Sequence, residues 1–358
     1  MVAKRDLSPE KAVTRWLDSI RMERTEASMS SYYYRLKLFV EWCEREGVDS
    51  MHEIDGWQLD SYETHRRSKN PSRSTLKNEL VTLRTFLEYC EKIEVVQDGV
   101  AEKIEVPRVP KSERSSDIKL DAADAKALLE TYRSEARFRG TKEHAILEIL
   151  WHTGARAGAV NSLDVGDLRQ LDDGRSYLAF EHRPDTGTRL KKARDGERPV
   201  FVTDAVADAI QRYIDGGRID TQDEYGREPL FTTEYGRVSP NTFRVWTYRA
   251  TVPCVHTNDP CRHDRVRERC EFVASDQLSK CPSSRSPHQI RTGAITWMRD
   301  SGHTEEEVAS RVNASVQTIR DHYDKQAPVE EMVRRRGRFA ELDIGNEGGV
   351  DGGESDAN

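Results

Sequence analysis

Residues 286–323 place a histidine, an arginine and a tyrosine where they could act together on a phosphate. Ser286 is a good helix N-cap and Pro287 suits the first helical position, so a helix is expected to start here. His288 and Arg291 lie three apart and share one face of it. Gly302 breaks the pattern, and a short helix is expected from Thr304. Ser315 can cap a third, in which Ile319, His322 and Tyr323 are neighbours. An arginine clamps phosphate oxygens, a histidine moves a proton, and a phenol attacks phosphorus. His-x-x-Arg alone recurs by chance in many helices. This chemistry needs a second arginine and a lysine from elsewhere in the chain.

The preceding 170 residues supply both. Residues 121–138 are amphipathic through Ala125, Leu128, Leu129 and Tyr132. His144 to Trp151 is an apolar helical run, the expected buried central helix, ending at Thr153-Gly154. Arg156 follows, flanked by Gly154, Ala155, Ala157, Gly158 and Ala159, which leave its guanidinium room to reach a ligand near the backbone. A structural ion pair is the plainer reading of the same residue. Residues 176–180 and 199–202 read as strands, and the long hairpin between them carries Lys191 and Lys192 near its tip. Such a hairpin presents a general acid over an active site or is simply a solvated loop. Helices near 204–214 and 239–251 complete this part.

The first hundred residues read as four helices: one opened by Ser8 and Pro9, one by Ser28 and ending at Gly47, one over 55–68, and one from Ser72. The apolar stripe of the first is Ala12, Val13, Trp16, Leu17 and Ile20; the second turns Tyr33, Leu36, Phe39, Val40 and Cys43 inward. Between the third and fourth, His65, Arg66, Arg67, Lys69 and Arg73 cluster around a turn, either a phosphate contact or a solvated loop. Cys43 and Cys90 fall on apolar faces and are expected in the core. Residues 106–118, with two prolines and three serines, form the best linker.

At 36% hydrophobic and 33% charged, the chain has the composition of a soluble globular protein, and its length suggests two domains. It lacks an apolar run long enough to span a membrane and an N-terminal signal pattern, so a cytoplasmic location is the expectation. The net charge of −7 argues against a nucleic-acid partner until it is located. Six acidic residues and no Lys or Arg lie from Phe339 onward, and without those six the balance is −1. The 56 cationic side chains of the rest can then be segregated onto one face. An acidic, lysine-poor composition is compatible with a salt-loving host.

Thr153-Gly154-Ala155-Arg156, a lysine hairpin closing on Glu197-Arg198-Pro199-Val200, Ser286-Pro287-His288 with Arg291, and a helix ending His322-Tyr323-Asp324-Lys325 occur in that order. This constellation resembles the tyrosine recombinase family of phage integrases and Xer-like site-specific recombinases, over residues 8–338. The resemblance implies a mainly α fold with a small antiparallel β element. It divides the chain into a four-helix, SAM-like core-binding domain (1–105), a linker (106–118) and a catalytic domain (119–327). A C-terminal exchange helix (328–344) and a disordered acidic tail (345–358) follow. It makes Arg156 the first catalytic arginine and Lys191 the hairpin lysine, with Lys192 its rival. His288 and Arg291 become the second box, and Tyr323 the nucleophile. It also implies double-stranded DNA as partner, a homotetramer on DNA from a monomer or weak dimer, accessory DNA-bending proteins, and no catalytic cofactor. A catalytically degenerate DNA-binding protein and a type IB topoisomerase-like nicking-closing enzyme are the alternatives. Two positions depart from the family pattern: Asn313-Ala314 stands where a Gly-His or Gly-Trp pair is usual, and Ala159 where a glutamate is.

Four of the six cysteines fall within residues 251–286, as Cys254-x6-Cys261-x8-Cys270-x10-Cys281, with His256 and His263 each two residues after a cysteine. Clustered cysteines in a cytoplasmic chain point to a structural zinc. Cys254, Cys261, Cys270 and Cys281 are the first-choice ligands, with His256 or His263 able to replace one, and free thiols in a polar loop are the alternative. The basic run Arg262, Arg265, Arg267 and Arg269 could lie against DNA.

Overall fold

The structure is a computed structural model and describes residues 6–110, 113, 117–256 and 261–322. Tyr323, the C-terminal helix proposed at 328–344 and the tail lie outside the described residues. The chain divides into two compact units, Met1–Ser116 and Asp117–Asn358.

In the first unit four helices enclose an aromatic core: α1 (Pro9–Ile20), α2 (Glu26–Glu46), α3 (Gly56–Ser68) and α4 (Arg73–Lys92). Ser8, Asp55 and Ser72 cap α1, α3 and α4 through side chains that accept from first-turn amides. The second helix starts before Ser28: Thr25 is the cap, its hydroxyl accepting from Ser28 N at 3.3 Å. Phe39 meets Tyr62 edge-on at 5.3 Å and Phe86 at 6.4 Å, while Trp16 reaches Tyr32 at 5.4 Å. Tyr32 rather than Tyr33 therefore joins the inward stripe, and Tyr33 is exposed. Cys43 and Cys90 are fully buried.

The basic turn between α3 and α4 is not simply a set of free cations. Arg66 makes two bonds of 3.0 Å to Glu79, and Arg67 reaches Glu63 at 3.2 Å. Glu79 is buried, so its carboxylate requires that partner.

The second unit is built on α6 (Lys142–Thr153), of which every residue but Lys142 and His152 is buried. Around it stand α5 (Ala122–Ser134), α8 (Asp204–Arg212), α9 (Pro240–Ala250) and α11 (Pro287–Asp300). The short helices α7 (Ala157–Asn161) and α10 (Pro253–His256) lie in the connections. A three-stranded antiparallel sheet, β1 (Leu168–Gln170), β2 (Ser176–Phe180) and β3 (Arg198–Val202), covers one side; a two-stranded piece, β4 (Thr232–Thr233) and β5 (Gly236–Arg237), lies apart. Helices α12 (Glu305–Val312) and α13 (Val316–His322) follow α11. No helix among the described residues is long and apolar enough to cross a membrane.

One glycine decides how closely α11 can lie. A Cβ on Gly293 would run into the carbonyl oxygen of Leu120, whose own amide donates to Gln289 O at 3.2 Å. Only a residue without a side chain lets that strand of chain pass over the helix.

Candidate active site

Helix α11 begins with a capping box. Ser286 Oγ accepts from Gln289 N at 3.3 Å, and Gln289 Oε1 accepts from Ser286 N at 2.7 Å. His288 thus lies in the first turn and is exposed, whereas Arg291, a turn later, is buried. Arg291 Nη1 donates to Gly154 O at 2.5 Å and to Val312 O at 2.7 Å. Gly154 is the left-handed cap of α6 (φ +57°), and a Cβ there would come within 2.8 Å of Val312 Cγ1.

Arg156 is the N-cap residue of α7, and its Nη1 donates to Asn313 O at 2.6 Å. Arg198 opens β3 with its guanidinium 4.5 Å over the Phe180 ring. Its Nε donates to Arg311 O at 2.8 Å and its Nη1 to Gly196 O at 3.0 Å. Three successive carbonyls, of Arg311, Val312 and Asn313, therefore accept from Arg198, Arg291 and Arg156. The last carbonyls of a helix have no intrahelical donor and carry its negative dipole end, so cations settle there. Sequence order scatters these arginines over 136 positions; the end of α12 brings them together.

Crowding leaves an electrostatic signature. Burial and the nearby guanidiniums of Arg291, Arg156 and Arg311 push Arg198 down to about 10. Arg311 is itself lowered by burial, and it donates to His152 O at 2.8 Å and Phe201 O at 3.0 Å. A cavity of about 180 Å³ opens beside this group, with Arg156, Ala159, Arg189, Lys191, Arg198 and Asn313 in its lining. A larger cavity of about 720 Å³, lined by Lys142, Trp246, Arg249 and His256, includes none of the predicted catalytic residues.

The hairpin between β2 and β3 is tied down rather than simply solvated. His182 Nδ1 accepts from Leu190 N at 3.0 Å, Arg227 reaches Thr186 and Thr188, and Leu190 is buried. Lys191, not Lys192, is among the cavity-lining residues. The next two residues, Lys192 (φ +84°) and Ala193 (φ +50°), take the left-handed conformation, which side chains disfavour. Asn313 takes it too (φ +53°), as the cap of α12, and its Nδ2 stands 3.5 Å from Lys191 O. A Cβ on Gly196 would be 2.9 Å from that same Nδ2, so glycine at the hairpin's foot allows the close approach.

After Asn313-Ala314, Ser315 caps α13, its Oγ accepting from Thr318 N at 3.1 Å. Buried Ile319 anchors this helix, and Arg320 holds Glu305 at 2.7 Å. His322 ends it; Tyr323, the predicted nucleophile, is the next residue. His303 sits at the exposed turn between α11 and α12. Of the predicted residues, the structure gathers Arg156, Lys191 and Arg291 at the end of α12 and puts His288 at the start of α11. Sequence reasoning quoted Arg198 within a motif but gave it no role, and it passed over Arg189 and Arg311. An arginine at the foot of the lysine hairpin was the available signal.

The four clustered cysteines carry no disulfide. Among the described residues no three His, Cys, Asp or Glu side chains are gathered closely enough to hold an ion as they stand. In the basic run nearby, Arg262 pairs with Asp124 at 2.6 Å and Arg265 with Glu271 at 3.3 Å.

Residues 13–92 match the family described as phage integrase, N-terminal SAM-like domain. A tyrosine recombinase XerC from Herpetosiphon aurantiacus is 22% identical over 230 residues, 64% of this chain and 70% of that protein. Among solved structures, the Tn1549 transposon integrase in complex with a circular intermediate DNA aligns with a TM-score of 0.62 at 13% identity, over 93% of this chain and 99% of that one. The XerH site-specific recombinase bound to palindromic difH substrate, in a post-cleavage complex, aligns with a TM-score of 0.60 at 13% identity, over 94% and 84%. The fold is thus that of a two-unit, mainly helical integrase. In its N-terminal family match and its XerC relatives, the chain is similar to tyrosine recombinases.

Proposed function

We propose that this protein is a site-specific DNA recombinase that cleaves and rejoins strands of double-stranded DNA through a 3′-phosphotyrosyl intermediate. The observation that carries the reading is the arginine group at the end of α12, with Lys191 on the same cavity and the nucleophile helix leading away from it. Arg156 and Arg291 hold the two non-bridging oxygens of the scissile phosphate, and they stabilise the added charge of the pentacoordinate transition state. Tyr323 Oη attacks phosphorus while the bond to the 5′-oxygen breaks. His288 accepts the phenolic proton and Lys191 protonates the departing 5′-hydroxyl. One phosphodiester is exchanged for another, so a second DNA hydroxyl can reverse the step without an external energy source.

Positions 313 and 314 tune this scheme. Ala314 provides no proton donor, but Asn313 links the turn to the lysine hairpin. Binding of the phosphate by Arg156 and Arg291 is therefore coupled through the carbonyls of Asn313 and Val312 to the segment that aims Tyr323. Assembly into a tetramer on DNA, with residues 329–338 docking on a neighbouring protomer, completes the reading.

A suicide DNA duplex, nicked so that the cleaved end diffuses away, tests it on a denaturing gel. The wild-type chain should accumulate a covalent adduct and Tyr323→Phe none, with DNA binding retained. Binding without adduct in the wild type would make the protein a catalytically degenerate DNA-binding relative.

A further inference from the structure

We propose that Arg189 is a further phosphate-binding residue of this site, donating to a non-bridging oxygen of a DNA backbone phosphate beside Lys191. The inference deepens the reading above and rests on it in one respect, that the anion bound here belongs to DNA. The cavity at the end of α12 has Arg156, Arg189, Lys191 and Arg198 in its lining and no acidic side chain. A concave surface that carries cations and no carboxylate attracts an anion. Arg198 is already turned onto the carbonyls of Arg311 and Gly196. Arg189 is exposed, and its side chain makes no ion pair or hydrogen bond among the described residues. Its planar fork of donors suits the two free oxygens of a phosphodiester.

The hairpin backbone fixes where that side chain starts. Thr188 and Arg183 form an antiparallel bridge, each amide donating to the other's carbonyl at 3.1 Å. Arg227 Nη1 donates to Thr188 Oγ1 at 2.6 Å. On the other side of Arg189, Leu190 is buried and its amide donates to His182 Nδ1 at 3.0 Å. Burial alternates along the stretch, with Thr188 and Leu190 inside and Arg189 and Lys191 exposed. Alternation of this kind is that of extended chain, in which residues two apart point to the same side about 7 Å from each other. Arg189 and Lys191 thus present one cationic face to the cavity. The other hairpin cations differ. Arg183 is committed to Asp167 and Glu181, while Lys192 and Arg194 are exposed and not part of the cavity lining. The lysine that protonates the departing oxygen therefore has a guanidinium beside it, able to hold the phosphate that carries that oxygen or the next one along the strand.

Two measurements on the full-length chain separate these phosphates. One is the rate of adduct formation on the suicide duplex at saturating protein. The other is binding of the same duplex, as salt is varied, by chains that also carry Tyr323→Phe. If Arg189 holds the scissile phosphate, Arg189→Ala should slow the first by at least about tenfold, and Arg189→Lys should recover little. If it holds the neighbouring phosphate, the rate at saturation should stay near wild type. Binding should then weaken about tenfold and the salt slope fall by about 1, and Arg189→Lys should keep the slope. Arg189→Gln, which keeps much of the side chain's length, should repeat the alanine result. Arg194→Ala, on the same hairpin, should match the wild type in both measurements. The proposal is overturned if Arg189→Ala matches the wild type in both, or if Arg194→Ala is equally impaired. A wild-type chain that binds DNA and forms no adduct would refute the recombinase reading instead, and the binding measurement would still decide the role of Arg189.

Discussion

Two groups of arginines in the second unit are held in opposite ways. Arg183, Arg227 and Arg237 converge on Asp164, Asp167 and Asp223. Arg237 bonds to Asp164 at 2.5 Å and Asp223 at 3.0 Å, Arg227 to Asp164 at 2.6 Å, and Arg183 to Asp167 at 2.5 Å. The hydrogen bond to Asp167 holds the Arg183 guanidinium well above the usual range. Arg156, Arg198 and Arg291 instead donate to the carbonyls of Asn313, Arg311 and Val312, and Arg198 is pushed down to about 10. A carboxylate cancels the charge it binds. A carbonyl orients a guanidinium, whereas a carboxylate also opposes its charge. The first group closes the fold around β4, β5 and the hairpin; the second gathers at the end of α12, where we propose it meets the scissile phosphate.

The sharpest way to break this contrast is to remove one arginine from the second group. Arg156→Ala and Arg291→Ala should each slow single-turnover adduct formation by about 10²–10³-fold, the cost of a lost transition-state donor. Lysine at either position should recover little, because a point charge cannot replace a bidentate fork. Near-normal cleavage by either variant would move that arginine into the structural group.

Arg237→Ala should do the reverse. It leaves Asp164 with Arg227 but strips one charged hydrogen bond from each of Asp164 and Asp223. Urea unfolding should show a loss of about 2 kcal/mol, while adduct formation per folded molecule stays close to wild type. A large catalytic defect in a stably folded Arg237→Ala chain would erase the distinction.

Arg198 sharpens the comparison, since it reaches both the α12 end and the hairpin foot. Replacing it with alanine should lower adduct formation by about tenfold, as expected for one charge-assisted bond. A substrate with sulfur as the bridging leaving atom needs little protonation and should restore most of the loss if Arg198 acts by placing Lys191. Failure of that rescue would confine Arg198 to packing on Phe180.

The smallest effect is on stability in inorganic phosphate. Binding to the native state stabilises by mass action, by about 1 kcal/mol at several times Kd. The increment should shrink in Arg156→Ala and Arg291→Ala but persist in Arg237→Ala, a comparison that removes the general salting effect of phosphate. Equal increments in all three would show that the anion does not distinguish the groups.

Much of the site was legible because its signals are local. The capping box at Ser286 and Gln289 sets the start of α11, and with it the spacing of His288 and Arg291. Gly154 ends α6 and so fixes where Arg156 emerges. Less was legible where a choice depended on a neighbour. Thr25 and Ser28 both carry a cap hydroxyl, and packing of Tyr32 on Trp16 accompanies the earlier start of α2. Arg66 could be read as a phosphate contact or as part of a solvated loop, and its partner Glu79 lies thirteen residues away. The strand Leu168–Gln170 is too short for alternation to show.

From sequence alone come most helix starts, the buried central helix and the order of the candidate side chains along the chain, since caps, periodicity and motif spacing act over a few residues. Which carboxylate or carbonyl each arginine meets was decided only by the tertiary structure. A guanidinium's role depends on whether a carboxylate or a carbonyl stands at its tip, and those partners can lie far along the chain, as Asn313 does, 157 residues from Arg156. Pairing at that range is set by how α6, α11 and α12 pack, and no local pattern records it.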